Sequence, residues 1–230
     1  MLKKALLITL SLVAIVSLTA CGNKLDVVGE QSIKSFDAVV TTLGDKVTED
    51  TEFGGYSLAS PDGTARFLWS KDYSKTTSND VQLVIDAKPF LDAGLDASKL
   101  PEGVLVDDKI IVGTELGEDS LTYKGDVSSV KAYEQIVNEY RDSIKYHAAL
   151  DHYGVALSNG NMFEWAKDMT TNDKDIVFVL NPEIFINAGV DTSSVDGWVF
   201  AKVETMDDNG KKIEVDKFLK PFDLDGKPAK

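Results

Sequence analysis

Two stretches of the chain carry apolar residues at helical spacing, and they do so in the same order. Ile33, Phe36, Val39, Val40, Leu43 and Val47 recur mostly every three or four residues, the stripe of an amphipathic helix. Shifted by 97 positions, Val130, Tyr133, Ile136, Val137, Tyr140 and Ile144 repeat the stripe. Ser32 and Ser129 stand where a helix N-cap is expected. The pattern predicts a helix of about four turns at the head of each of two copies of one unit.

Behind each helix the period changes. Residues 56–59 and 64–70 flank Ser60-Pro61-Asp62-Gly63, and residues 153–157 and 162–166 flank Ser158-Asn159-Gly160. Asp-Gly and Asn-Gly between apolar runs predict hairpins, because these residues accept positive φ at low cost. Within them Phe67-Leu68-Trp69-Ser70-Lys71-Asp72 matches Phe163-Glu164-Trp165-Ala166-Lys167-Asp168 at a shift of 96. Strongly apolar strands follow at 81–85 and 176–180, the second apolar on both faces and so predicted to be central. Then the phrase Pro89-Phe90-Leu91-Asp92-Ala93-Gly94-Leu95-Asp96 is echoed by Ile184-Phe185-Ile186-Asn187-Ala188-Gly189-Val190-Asp191 at a shift of 95. Pro89 and Pro182 suit the first turn of a short helix, and Gly94 and Gly189 its stop. A last hairpin closes the unit, running in the second copy over 198–205, turning at Asp207-Asp208-Asn209-Gly210 and returning over 211–215.

The register slips one residue at a time, after the Asp62-Gly63 turn and near Thr76-Thr77-Ser78-Asn79, and such slips are tolerated in loops. That drift marks a duplication. The predicted class is α+β: two tandem homologous domains, each a mostly antiparallel sheet with one long and one short helix. Residues 31–122 form the first domain, 123–223 the second and 224–230 a polar tail, with the boundary in the polar stretch 117–128. A unit of about 95 residues is large enough to be expected to carry its own core.

The N-terminus is of another kind. Lys3 and Lys4 precede a nearly unbroken apolar run over 6–16, shorter than a spanning helix needs, and Leu18-Thr19-Ala20-Cys21 closes it. This stretch resembles the signal and lipobox of bacterial lipoprotein precursors. The resemblance covers only the first 21 to 23 residues. It implies a diacylglycerol on the Cys21 sulfur, cleavage before Cys21, and residues 21–30 as a lipidated tether. It also implies an extracytoplasmic protein held on the cell membrane by its acyl chains, each buried methylene contributing roughly 0.8 kcal/mol. Gly22 follows the cysteine where an aspartate would retain the protein at the inner membrane of a two-membrane cell, so the outer membrane is open as a destination there.

Cys21 is the sole cysteine, so no internal disulfide and no multi-cysteine zinc site is expected. The formal charge of −14 lacks the basic patch that nucleic-acid binding needs. Cleavage before Cys21 removes two lysines and takes the charge to −16.

The most distinctive chemistry lies in the repeated Trp-x-Lys-Asp: Trp69, Lys71 and Asp72, with Trp165, Lys167 and Asp168. An indole platform flanked by lysine and aspartate could grip a polar ligand. Alternation on one strand explains the same residues as a core face ending at an exposed rim, and this reading is preferred. Asp92, Asp96 and Asp191 beside Gly94 and Gly189 offer oxygen ligands, but no twelve-residue calcium loop is present and helix capping explains them better. His147 and His152 are placed near the end of the second long helix, five apart, where metal pairs on a helix prefer four; they are expected to be surface residues. No nucleophile elbow, phosphate loop or dinucleotide fingerprint is present, and no cofactor or metal is expected. The sequence therefore points to a tethered module that binds a small molecule or a protein partner, ahead of an envelope scaffold and well ahead of an enzyme.

Overall fold

The computed structural model describes residues 26–71, 81–114, 128–139, 141–148, 150–168, 175–207 and 209–222. The lipobox with Cys21, Asp72, Tyr140, most of the boundary stretch and the tail lie outside the described residues. The first repeat runs α1 (Val27–Thr42), β1 (Val47–Asp50), β2 (Gly55–Ala59), β3 (Ala65–Ser70), β4 (Val81–Asp86), α2 (Lys88–Asp92), β5 (Leu105–Val106) and β6 (Lys109–Thr114). The second runs α3 (Ser129–Glu139), β7 (Ile144–His147), β8 (His152–Ala156), β9 (Met162–Ala166), β10 (Ile176–Leu180), α4 (Glu183–Asn187), β11 (Val199–Met206) and β12 (Lys212–Phe222). Each builds a six-stranded antiparallel sheet, ordered β1-β2-β3-β4-β6-β5 and β7-β8-β9-β10-β12-β11. The chain is α+β, two tandem homologous units of one topology.

The ladders keep the register read in the sequence. Leu58 faces Phe67 as Val155 faces Phe163, and Phe67 faces Leu83 as Phe163 faces Phe178. Asn159 and Gly160 both take positive φ, as the predicted turn requires, and Gly94 and Gly189 stop α2 and α4 with φ of 95° and 89°.

Two expectations about the helices are corrected. Val47 and Ile144 do not prolong the helical stripes; they open β1 and β7. Apolar spacing cannot separate a last helical turn from the first inward residue of the next strand. The cap of α1 is Asp26, whose carboxylate accepts from the Gly29 N–H at 2.6 Å, so the tether passes into helix from Val27. Ser32 is instead buried one turn inside, hydrogen-bonded to the Tyr133 hydroxyl at 2.9 Å. At α3 the Ser128 hydroxyl takes the Lys131 N–H, at 3.4 Å, one residue before the expected Ser129.

The larger correction concerns the core. The repeats do not hold separate cores; one continuous cluster of buried side chains draws on both. Equivalent residues meet each other. Phe36 stacks on Tyr133 with ring centroids 4.2 Å apart, Phe67 on Phe163 at 4.2 Å and Phe90 on Phe185 at 4.6 Å. Contact of each residue with its own counterpart is the mark of an isologous, two-fold interface, here formed within one chain. The helices are exchanged across it: α1 lies against β7 and β9 of the second sheet, and α3 against β3 of the first. Neither sheet face could be covered by its own repeat alone, so burying apolar area at roughly 25 cal/mol per Å² requires both.

The repeated phrase sits on this axis. The Asp96 N–H donates to the Ala188 carbonyl and the Asp191 N–H to the Ala93 carbonyl, both at 2.8 Å. A Cβ on Gly94 would lie 3.4 Å from the Gly189 carbonyl oxygen, and one on Gly189 3.6 Å from that of Gly94. Left-handed backbone and close mutual approach together account for a glycine at both places.

Candidate functional site

Both predicted indoles belong to the shared core. Trp69 and Trp165 are fully buried, with neither ring face open to a ligand. Each indole N–H crosses to the other repeat: Trp165 donates to the Ser35 hydroxyl at 2.6 Å, and Trp69 to the Ser129 carbonyl at 3.0 Å. The difference has a local cause. Ser35 passes its own proton to the Ser32 carbonyl, while its counterpart in the second repeat is Ala132, which leaves the Ser129 carbonyl to the indole directly. The repeated Trp-x-Lys-Asp is therefore a core face, and the stacking platform is withdrawn. At its rim, Lys71 pairs with Glu49 at 2.5 Å, Lys167 lies 3.9 Å from Asp151 and over the Tyr146 ring, and Asp168 is exposed. Asp96 and Asp191 cap the turns that follow them, accepting from Ser98 and from Ser193 and Ser194.

The structure brings together two groups that the sequence did not. The first is in the second repeat alone. His147 and His152 are not helical; they close the β7–β8 hairpin as directly opposed partners. Both imidazoles turn to Glu164 on β9: His147 Nδ1 lies 2.7 Å from Oε1, and His152 Nδ1 3.8 Å from Oε2. Glu164 and His152 are buried, and at 3.8 Å their facing atoms, Oε2 and Nδ1, are too far apart to hydrogen-bond and have no hydrogen-bond partner among the described residues. Gly154, opposite Glu164 across the ladder, makes the room: a Cβ there would meet Glu164 Cγ at 3.0 Å. Burial alone would raise the Glu164 carboxyl, but His147, with His152 near, holds it below the usual carboxylate range. The same hydrogen bond raises His147 above 6.5 against the opposing effect of burial. Lys217 on β12 feels this carboxylate too; burial lowers its ammonium and Glu164 partly offsets it. Among the described residues no three or more His, Cys, Asp or Glu side chains are arranged to hold a metal ion.

The second group lines a cleft between the repeats. Ser60, Pro61 and Asp62 come from the β2–β3 turn; Trp198, Val199, Lys220, Pro221 and Phe222 come from the last hairpin of the second repeat. Its volume is about 290 Å³. Lys220, buried, donates to Asp62 at 2.6 Å and to the Gly197 carbonyl at 3.3 Å, with its ammonium 5.7 Å from the centroid of the Trp198 ring. Burial would raise the Asp62 carboxyl, but bonds from Lys220, Ser60 and Thr64 outweigh it and hold the group far below its ordinary range. The cleft thus presents apolar walls around an ion pair whose donors and acceptors are already engaged. In the sequence Asp62-Gly63 marks only a turn, and no local motif singles out Lys220. The signal that could have marked Lys220 is its place in an alternating strand, where Phe218 and Phe222 face the core on the same side.

Among the described residues no helix is long and apolar enough to cross a membrane. No protein-family model, no curated protein and no solved structure matches the chain.

Proposed function

We propose that the chain is a membrane-anchored extracytoplasmic lipoprotein that binds a small molecule or a protein partner in the cleft between its repeats. The observation that carries the binding reading is the cleft itself, contributed to by both repeats and centred on Trp198 and the Asp62–Lys220 pair. Its volume of about 290 Å³ lies at the lower end for ligand pockets, so it suits a small ligand or one anchoring side chain of a partner. The anchor rests on the Leu18-Thr19-Ala20-Cys21 lipobox.

The two halves of this reading are tested apart. Cys21→Ser abolishes incorporation of labelled palmitate into the chain; incorporation that survives refutes the anchor. For the cleft, a thermal-shift screen of residues 22–230 against sugars, metals, haem, flavins and peptides is compared with the Trp198→Ala and Lys220→Met variants. A ligand at a hundred times its Kd adds about 2.7 kcal/mol of stability, and that gain disappears in both variants. A gain that persists in both places the ligand elsewhere.

A further inference from the structure

Each sheet ends in two edge strands, and an exposed edge is a template for pairing unless it is kept short or blocked. Among the described residues three of the four edges are short: β1 and β7 have four residues each and β5 has two. The fourth, β11, has eight. Its length is not inherited from the repeat. Leu105 faces Ile110 in the first repeat as Phe200 faces Phe218 in the second. Four residues join the first pair, through a tight turn at Asp107 and Asp108 with positive φ at both. Seventeen residues join the second pair, as a long hairpin. Among the described residues one repeat thus ends in a long edge strand where its twin is closed off.

We infer that β11 is a self-association strand, through which two copies of this chain pair antiparallel, edge to edge, about Val203. The argument is one of register. In an antiparallel ladder, successive residue pairs alternate between hydrogen-bonded and non-hydrogen-bonded, so a two-fold axis must pass through a residue opposite itself. For a strand spanning 199–206, centring on residue 202 or 203 gives the longest overlap. The first centre sets Lys202 against Lys202. The second sets Lys202 against Glu204 twice, once on each side of the axis, with Ala201 opposite Thr205 and Phe200 opposite Met206. Opposed unlike charges favour a strand pair and opposed like charges disfavour it. Within the hairpin these charges pair diagonally: Glu204 binds Lys212 at 2.5 Å and Lys202 lies 3.9 Å from Glu214, while the residue directly opposite Lys202 is Asp216 and the one directly opposite Glu204 is Glu214. A second copy gives Glu204 the directly opposed lysine that its own hairpin does not. The contact is a single strand pair, small enough to belong to the transient class, and it calls for a covalent trap in membranes rather than a purified dimer.

Cysteine is placed one position at a time at residues 199, 201, 203 and 205 of the full chain, membranes are treated with a mild oxidant, and dimer is read on non-reducing gels against the parent chain. The disulfide yield peaks at Val203→Cys, the one position that meets itself. In that background Lys202→Glu or Glu204→Lys alone lowers the yield by about fivefold, since each turns two favourable pairs into two unfavourable ones. The double variant K202E/E204K restores it, as does co-expression of the two single variants. Yields that are absent or flat along the strand, or indifferent to charge reversal, overturn the inference. So does a rise on Lys202→Ala, which would show the lysine guarding the edge against pairing.

Discussion

The two repeats share a topology and a core but not a chemistry. Where the second repeat has His147, His152 and Glu164, the first has Asp50, Gly55 and Leu68 at the same ladder positions. Where the second extends β11 and β12, the first closes in a two-residue turn. Residues that touch the axis have kept their character in both copies; residues that face away from it have diverged in one. The lesson is physical. A side chain stacked on its own counterpart is constrained twice by any change, whereas the outer sheet face of one repeat can vary without a matching change in the other.

The largest test of that division is in the core. Phe67→Ala and Phe163→Ala should each cost about 3–5 kcal/mol, and nearly the same amount, because each empties one side of the same stack. Urea unfolding measures both; a severalfold difference would break the symmetry argued for the axis. The next is Glu164→Gln, which loses the charged partner of His147 and should cost about 1.5–3 kcal/mol near pH 6, while Leu68 already shows that the same site can be apolar in the twin. Gly94→Ala and Gly189→Ala should each cost about 1–2 kcal/mol, since both residues hold left-handed backbone in equivalent places. Unequal costs would mean that the clasp is tighter on one side than the other.

The pH dependence sharpens the contrast further. His147 is raised, so its contribution is complete below its unfolded value of 6.5 and is lost as pH climbs through the folded one. Glu164 is lowered, so its contribution is present above 4.5 and is lost as pH falls through its folded value. Stability from this pair is therefore greatest in mild acid and declines towards the alkaline side. His147→Gln should flatten that decline in thermal midpoints measured from pH 5.5 to 8.5, and an unchanged slope would remove the pair as its source. The smallest effect belongs to Lys88→Ala in α2, which breaks a fully solvated pair with Asp92 that α4 lacks, and which should leave the thermal midpoint where it is.

Much of the fold was legible in the sequence. Slipping shifts of 97, 96 and 95 gave the ladder registers, because hairpins fix register locally and loops absorb the deletions. The exchange of helices was not legible, since an apolar stripe says that a face is covered and not by which copy. The imidazole pair was missed for a related reason. Five residues apart suggests the wrong spacing on a helix, but across a four-residue hairpin loop it makes His147 and His152 direct partners. Gly54 in the first copy, aligned with Asp151 and sharing its positive φ, was the sign that a turn lay there. Asp62 and Lys220, 158 residues apart, meet only because the repeats close on each other, and no local pattern announces such a contact.

The most direct test of a single core shared across a two-fold axis is calorimetric unfolding of the chain, with Phe67→Ala beside it. One cooperative transition is expected, its calorimetric and van't Hoff enthalpies equal, and the substitution in the first repeat should lower the midpoint of the whole molecule. Two separable transitions, with only one moved by Phe67→Ala, would mean that the repeats fold as independent bodies.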